Sequence, residues 1–170
     1  DVDWRLVLRS FIKRSNRANK SSTVKRVNRR YPYAQPGRKV RREANIAIAI
    51  DQSGSVSDEM LSKFFAELNK LSEIAEFTVI PFDTRVDERL VHKWEKDQRI
   101  EKTRVMYGGT CFNAPTDYVN KNNFDGMIVL TDMEAPKPKP SKCQRMWMTT
   151  PHFANHPYFN PRPEQMIVVK

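Results

Sequence analysis

The longest unbroken apolar run in the chain is "IAIAI", residues 46–50. Strand alternation sets Ile46, Ile48 and Ile50 on one face and Ala47 and Ala49 on the other. Both faces are apolar, which predicts a strand covered on both sides, as in a parallel α/β sheet. The small alanine face lets a helix approach closely. The pattern then changes period. Met60, Leu61, Phe64, Phe65, Leu68, Leu71 and Ile74 recur at three and four residues, predicting a helix over about 58–74. Ser57 is placed to cap it, and Asp58 and Glu59 suit its positive end.

Further strands are predicted at "FTVIPFD" (77–83), "DGMIVLTD" (125–132), "QRMWMTT" (144–150) and "QMIVV" (165–169), with a weaker one at "RLVHKW" (89–94). A glycine turn, "YGGT" (107–110), precedes a short helix over about 113–121, and "APKPKP" (135–140) reads as exposed. Trp4, Leu6, Val7, Leu8, Phe11 and Ile12 have helical spacing over residues 1–14. The stretch from about 15 to 42 has little periodicity and reads as extended or loop chain, with "RRYPY" as a segment that could dock. Strands alternating with helices predict an α/β fold: a Rossmann-like, largely parallel central sheet with helices on both faces. Ligands in such sheets sit beyond the carboxyl ends of the strands. Asp51, Asp83 and Asp132 each end a predicted strand.

A chain of 170 residues suits one domain with additional chain. The net charge of +10 sharpens that division. Residues 1–42 hold 14 Lys+Arg against 2 Asp+Glu, while residues 43–170 hold 16 against 18, so +12 sits beside −2. The expected organisation is a basic N-terminal extension, 1–43, and a near-neutral domain, 44–170. A basic arm binds nucleic acid or acidic surfaces, and Arg26, Arg29, Arg30, Tyr31, Tyr33, Arg41 and Arg42 offer phosphate contacts and stacking. No apolar run is long enough to cross a bilayer, and no secretory leader is visible. Cys111 and Cys143 make no disulfide framework. A cytoplasmic protein with no membrane partner is expected. The first residue is Asp rather than Met, so a piece of a longer protein is expected.

The chemistry gathers where the strands end. Hard divalent cations take oxygen ligands. Asp51, Ser53 and Ser55 alternate along one side of an extended turn, and Thr110 and Asp132 bring the available oxygens to five. Gly54 would ease the chain reversal, and Gly108 and Gly109 would bring Thr110 close. Rival chemistries are weaker. No HExxH is present; His152 and His156 are spaced by four in an Asn- and Pro-rich segment without the glutamate. Ser53 lacks the G-x-S-x-G setting of a hydrolase nucleophile. No catalytic residue is assigned, and enzymatic activity is not expected of this stretch.

"DQSGS", then "GGT", then "LTD" together resemble the metal-ion-dependent adhesion site of von Willebrand factor A (VWA) domains, with order and strand context matching over residues 44–170. "DWRLVLRSF", "NRR" and "DQSGSVSDEM" are further similar to the C-terminal part of a bacterial and phage family. That family joins a helical metallopeptidase-like domain to a VWA-like domain and is linked to MoxR-type AAA+ ATPases. The resemblance implies Mg²⁺, with Mn²⁺ or Ca²⁺ as substitutes. Ser53, Ser55 and Thr110 would contact it directly or nearly so, and Asp51 and Asp132 directly or through water. An Asp or Glu of a protein partner would complete the octahedron, giving metal-dependent protein binding. Any peptidase chemistry would lie upstream, with this stretch as an accessory domain. Gly109, Asp83 and Cys111 would stand behind the ligands. Cys111 departs from the pattern, which often has Asp there; a thiol is a poor Mg²⁺ ligand.

Overall fold

The structure, a computed structural model, describes residues 2–7, 10, 19–27, 36–41 and 45–169; for 19–27 and 36–41 it describes the backbone. Two strands, β1 (Asn19–Val27) and β2 (Pro36–Arg41), pair antiparallel. This stretch had read as extended or loop chain, because a two-stranded ladder without a one-sided apolar pattern carries no period-2 signal. Arg26 and Arg41 lie on these strands. Arg29, Arg30, Tyr31, Tyr33 and Arg42 lie outside the described residues, as does "RRYPY".

The main sheet has six strands in the order β5-β4-β3-β6-β7-β8. They are β3 (Ile46–Asp51), β4 (Phe77–Phe82), β5 (His92–Trp94), β6 (Gly126–Leu130), β7 (Gln144–Thr149) and β8 (Gln165–Val168). All pairings are parallel except that of the short edge strand β5 with β4. Three helices follow in chain order: α1 (Asp58–Ser72), α2 (Asn113–Asn122) and α3 (Pro151–Asn155). The third stands where the sequence predicts a loop carrying His152 and His156.

The two faces of β3 divide as the alternation predicts. Ile46, Ile48 and Ile50 belong to one core cluster with Leu61, Phe64, Leu68 and Leu71 of α1. Ala47 and Ala49 belong to another with Val119 of α2, Phe112 and Trp147. Every residue of β3 is buried. The α1 start follows from its cap: the Ser57 hydroxyl accepts the Met60 N–H at 3.1 Å. Residues 4–7 are helical, and Trp4 sits in the α1-side core. Its indole N–H donates to the buried Glu67 Oε2 at 2.9 Å, and Lys70 meets the other oxygen at 2.8 Å. Among the described residues no helix is long and apolar enough to cross a membrane.

The chain runs from β3 outward to β4 on one side and returns to β6 on the other. The order of connection therefore switches sides between β3 and β6, which stay parallel, and in such sheets ligands bind beyond the carboxyl ends at this switch point.

Candidate metal centre

Parallel pairing brings the carboxyl ends of β3, β4 and β6 to one edge, with Ile50 level with both Pro81 and Leu130. Asp51, Asp83 and Asp132 consequently emerge on that edge. Asp51, Ser53 and Asp132 are almost fully buried, Ser55 is exposed, and Thr110 is half-buried.

A chain of hydrogen bonds joins three of the five predicted oxygen donors, Asp51, Ser53 and Ser55, and Thr131 sets Asp132 beside it. Asp51 Oδ1 accepts the Ser53 N–H at 3.0 Å, and the Ser53 and Ser55 hydroxyls lie 3.1 Å apart. On the other side, Thr131 Oγ1 donates to Asp51 Oδ2 at 2.6 Å and lies 3.4 Å from Asp132 Oδ1. A hydroxyl has one proton to give, so it goes to Asp51; Asp132 Oδ1 instead accepts the Glu134 N–H at 3.1 Å. Met133, which has φ 65°, donates its N–H to Thr131 Oγ1 at 3.1 Å. A bulky residue in the left-handed region is uncommon; here it belongs to the tight turn that carries Asp132 past the end of β6. Asp132 Oδ2 is buried with no hydrogen-bond partner.

The fifth donor arrives on a separate loop. Gly54 N–H donates to Gly108 O at 3.0 Å, which seats the 107–110 turn against the Asp51–Ser55 turn. Asp83 holds that loop from behind. Its Oδ2 accepts the Gly108 N–H at 3.2 Å, and its carbonyl accepts the Cys111 N–H at 2.9 Å. The glycines prove unequal. Among the described residues no glycine has positive φ, so the expected chain-reversal role of Gly54 is not needed; a Cβ there would make ordinary contact with Tyr107 O at 3.5 Å. Gly108 is the tight one: a Cβ would come within 2.6 Å of Asp83 Oδ2, so the carboxylate that accepts its N–H would have to shift. At Gly109 the nearest neighbour of a Cβ would be Thr84 Cγ2, at 3.4 Å. The Cys111 side chain is half-buried.

Electrostatics mark Asp51. Burial pushes its carboxyl up to about 6, the hydrogen bonds from Thr131 and Ser53 pull the other way, and the nearby Asp132 charge adds to the rise. A carboxyl raised above its unfolded value contributes stability that is full below about 4 and lost as pH climbs through about 6. Urea unfolding in EDTA, compared between wild type and Asp51→Asn, is expected to show this decline only in wild type. Excess Mg²⁺ should flatten it, because a cation favours the ionised form.

Two carboxylates and several hydroxyls converge here; among the described residues no group of three or more His, Cys, Asp or Glu side chains is placed to hold a metal ion. This is a hard-oxygen set, suited to Mg²⁺ rather than to a soft metal. The unpartnered Asp132 Oδ2 fits the same group, since a buried carboxylate oxygen without a donor is costly unless a cation meets it. His152 and His156 lie elsewhere, largely exposed, with ring centroids 6.1 Å apart.

The sequence reading missed three participants. Thr131 had a signal, the T-D ending of "LTD", but was passed over for its neighbour. Gln52 and Arg104 had none. The Gln52 amide bridges Thr103 O at 3.3 Å and the Val105 N–H at 2.8 Å. Arg104 donates to the carbonyls of Gln52 at 3.3 Å, Ser53 at 2.8 Å and Val56.

The model of the VWA-like domain (DUF2201) family matches residues 46–163. An uncharacterized protein of Thermotoga maritima is 32% identical over 136 residues, covering 78% of this chain and 33% of that protein. The chain thus spans about a third of that relative's length. Among solved structures, an aerotolerance-related membrane protein of Bacteroides fragilis is similar in fold, with TM-score 0.50 and 13% identity over 75% of this chain and 92% of that one. The ArnB paralog VWA2 of Sulfolobus acidocaldarius has TM-score 0.43 and 15% identity, over 63% of this chain and 34% of that one.

Proposed function

Because the chain belongs to the VWA-like domain (DUF2201) family, a class of module that generally binds proteins, we propose that its carboxyl edge is a Mg²⁺-dependent protein-binding site. The observation that carries the reading is the buried, unpartnered Asp132 Oδ2, aligned through Thr131 with Asp51 and the Ser53–Ser55 hydroxyl pair. Asp51, Ser53, Ser55, Thr110 and Asp132 would hold the ion. Bound there, Mg²⁺ would supply an electrophilic position open to an outside ligand. The two protein carboxylates offset its charge without filling its shell, so an Asp or Glu of a partner is the fitting final ligand. The work proposed for the site is binding rather than catalysis. The same proposal sets this module within a longer cytoplasmic protein, beside a metallopeptidase-like domain and in the service of a MoxR-type AAA+ ATPase.

Calorimetry with Mn²⁺ tests the metal. One ion is expected to bind wild type and none Asp51→Ala. The protein-binding half is tested by titrating the purified MoxR-type ATPase of the same organism. Its binding should require Mg²⁺ and be lost in EDTA and in Asp51→Ala. Absence of Mn²⁺ uptake, or partner binding indifferent to EDTA, would overturn the proposal.

The +12 charge of residues 1–42 favours a second reading, nucleic-acid binding by the basic arm. That binding would weaken steeply with salt and persist in EDTA, so the two activities separate cleanly.

A further inference from the structure

We propose that Arg104 is the positioning residue of the metal centre: its guanidinium holds the 52–56 turn in the shape that presents Ser53 and Ser55 to the cation. The inference rests on the metal reading above and concerns a residue outside the five ligands.

The turn leaves regular structure at Asp51 and does not re-enter it until Asp58. Its carbonyls have no sheet ladder to satisfy them. Ser53 O accepts the Val56 N–H at 3.2 Å, and Arg104 adds donors across the turn: Nη1 meets Gln52 O at 3.3 Å and Ser53 O at 2.8 Å, and Nη2 meets Val56 O. A guanidinium offers five N–H donors in a rigid plane and no acceptor. It can therefore span three carbonyls and fix their relative orientation, through charge-assisted bonds stronger than neutral ones. The same group reaches Asp58 Oδ1 at 3.3 Å on the first turn of α1, but that carboxylate is 73% exposed, so the pair adds little. The carbonyl bonds lie deeper, since the Arg104 side chain is only 11% exposed.

The bracing is reciprocal. The Gln52 side chain bonds the backbone of Thr103 and Val105, on either side of Arg104. Farther along, the Tyr107 ring lies 5.6 Å from the guanidinium carbon, and Gly108 O receives the Gly54 N–H. One segment, 103–110, thus carries the arginine at one end and the proposed ligand Thr110 at the other. It clasps the serine turn at both.

Position matters here because Mg²⁺ demands a near-ideal octahedron with short ligand distances. Ser53 and Ser55 are held by short side chains, so their oxygens move with the backbone. With the Gln52, Ser53 and Val56 carbonyls committed to Arg104, the turn offers a cation its side-chain oxygens.

The test compares Arg104→Met, Arg104→Lys and the core control Val119→Ala, which lies on α2 against the other sheet face. Arg104→Met keeps an apolar stem and removes the fork. Its Mn²⁺ affinity, measured by calorimetry, is expected to fall about 10-fold or more, the range seen when an outer residue orienting metal ligands is lost. Arg104→Lys should recover part of this, because a single ammonium cannot span three carbonyls. Amide exchange in EDTA should quicken at Gly54 and Val56 and stay unchanged in β6. Val119→Ala should lower the urea midpoint without changing Mn²⁺ affinity. Wild-type Mn²⁺ affinity in Arg104→Met would overturn the inference while leaving the metal site standing; should that variant not fold, wild-type affinity in Arg104→Lys does the same. Failure of wild type itself to bind Mn²⁺ would overturn the metal reading and the inference together.

Discussion

Asp132→Ala is expected to lose Mn²⁺ binding while its metal-free stability stays within about 1 kcal/mol of wild type. The two effects separate because of how the carboxylate is placed. Oδ1 caps the Glu134 N–H at 3.1 Å, a bond whose loss costs on the order of 1 kcal/mol. Oδ2 is buried without a donor, so its removal relieves a desolvation cost of similar size. Neither change disturbs β6, which ends at Leu130. Metal affinity has no such offset. Loss of an outer-sphere residue costs roughly 10- to 100-fold, and loss of a ligand should exceed that. The clearest measurement is urea unfolding with and without Mg²⁺. Wild type should gain about 2.7 kcal/mol when Mg²⁺ is at 100 times its dissociation constant, and Asp132→Ala should gain nothing. An equal Mg²⁺ gain in both proteins would remove Asp132 from the site.

The largest stability effect is expected far from this edge, in Glu164→Ala. Arg145, the second residue of β7, has a side chain only 2% exposed. Its guanidinium pairs with Glu164 through Nε at 2.9 Å and Nη2 at 2.8 Å. Nη1 donates to Thr116 Oγ1 at 2.9 Å and Lys139 O at 3.1 Å, and the Trp147 N–H reaches Glu164 Oε2 at 2.6 Å. Glu164 ties the chain just before β8 to the sheet interior. Removing it leaves a buried charge half-paired and an indole N–H without its acceptor. Breaking a buried pair from one side costs about 3–5 kcal/mol, a large share of the roughly 5–15 kcal/mol that holds a domain folded. Urea denaturation should show this as a lower midpoint with unchanged slope. Arg145→Met/Glu164→Leu, which removes both charges, should lose less. Because the pair lies toward the opposite ends of the strands, Mn²⁺ affinity of the folded variants should match wild type. A loss under 1 kcal/mol in Glu164→Ala would show that Arg145 is satisfied without it.

Neither Arg145 nor Glu164 stood out in the sequence, for the reason that Arg104 did not. Each is an ordinary charged residue whose importance comes from a partner many positions away. Glu67 is a similar case: an exposed helix position by composition, it is buried because Trp4 covers it. Asp83 was legible as a strand end, yet its hold on Gly108 depends on a loop 25 residues later. The β1–β2 stretch reads only as extended or loop chain because its residues lack the alternation that marks a half-buried strand.

The sequence by itself determined that β3 is an inner strand, since apolar residues on both faces leave no side for water. The cap at Ser57 ahead of α1 is equally local, as is the position of Asp51, Ser53 and Asp132 at or just past strand ends. These are local facts of period, capping and order, each legible in a short stretch of chain. Only the folded sheet shows which strand ends share an edge, that Thr131 lies between the two carboxylates and bonds Asp51, that Asp132 keeps an unpartnered oxygen, and that Arg104 clasps the serine turn. Those contacts join residues about 50 to 80 positions apart, and no periodicity reaches that far: parallel pairing and close packing bring them together only once the sheet has formed.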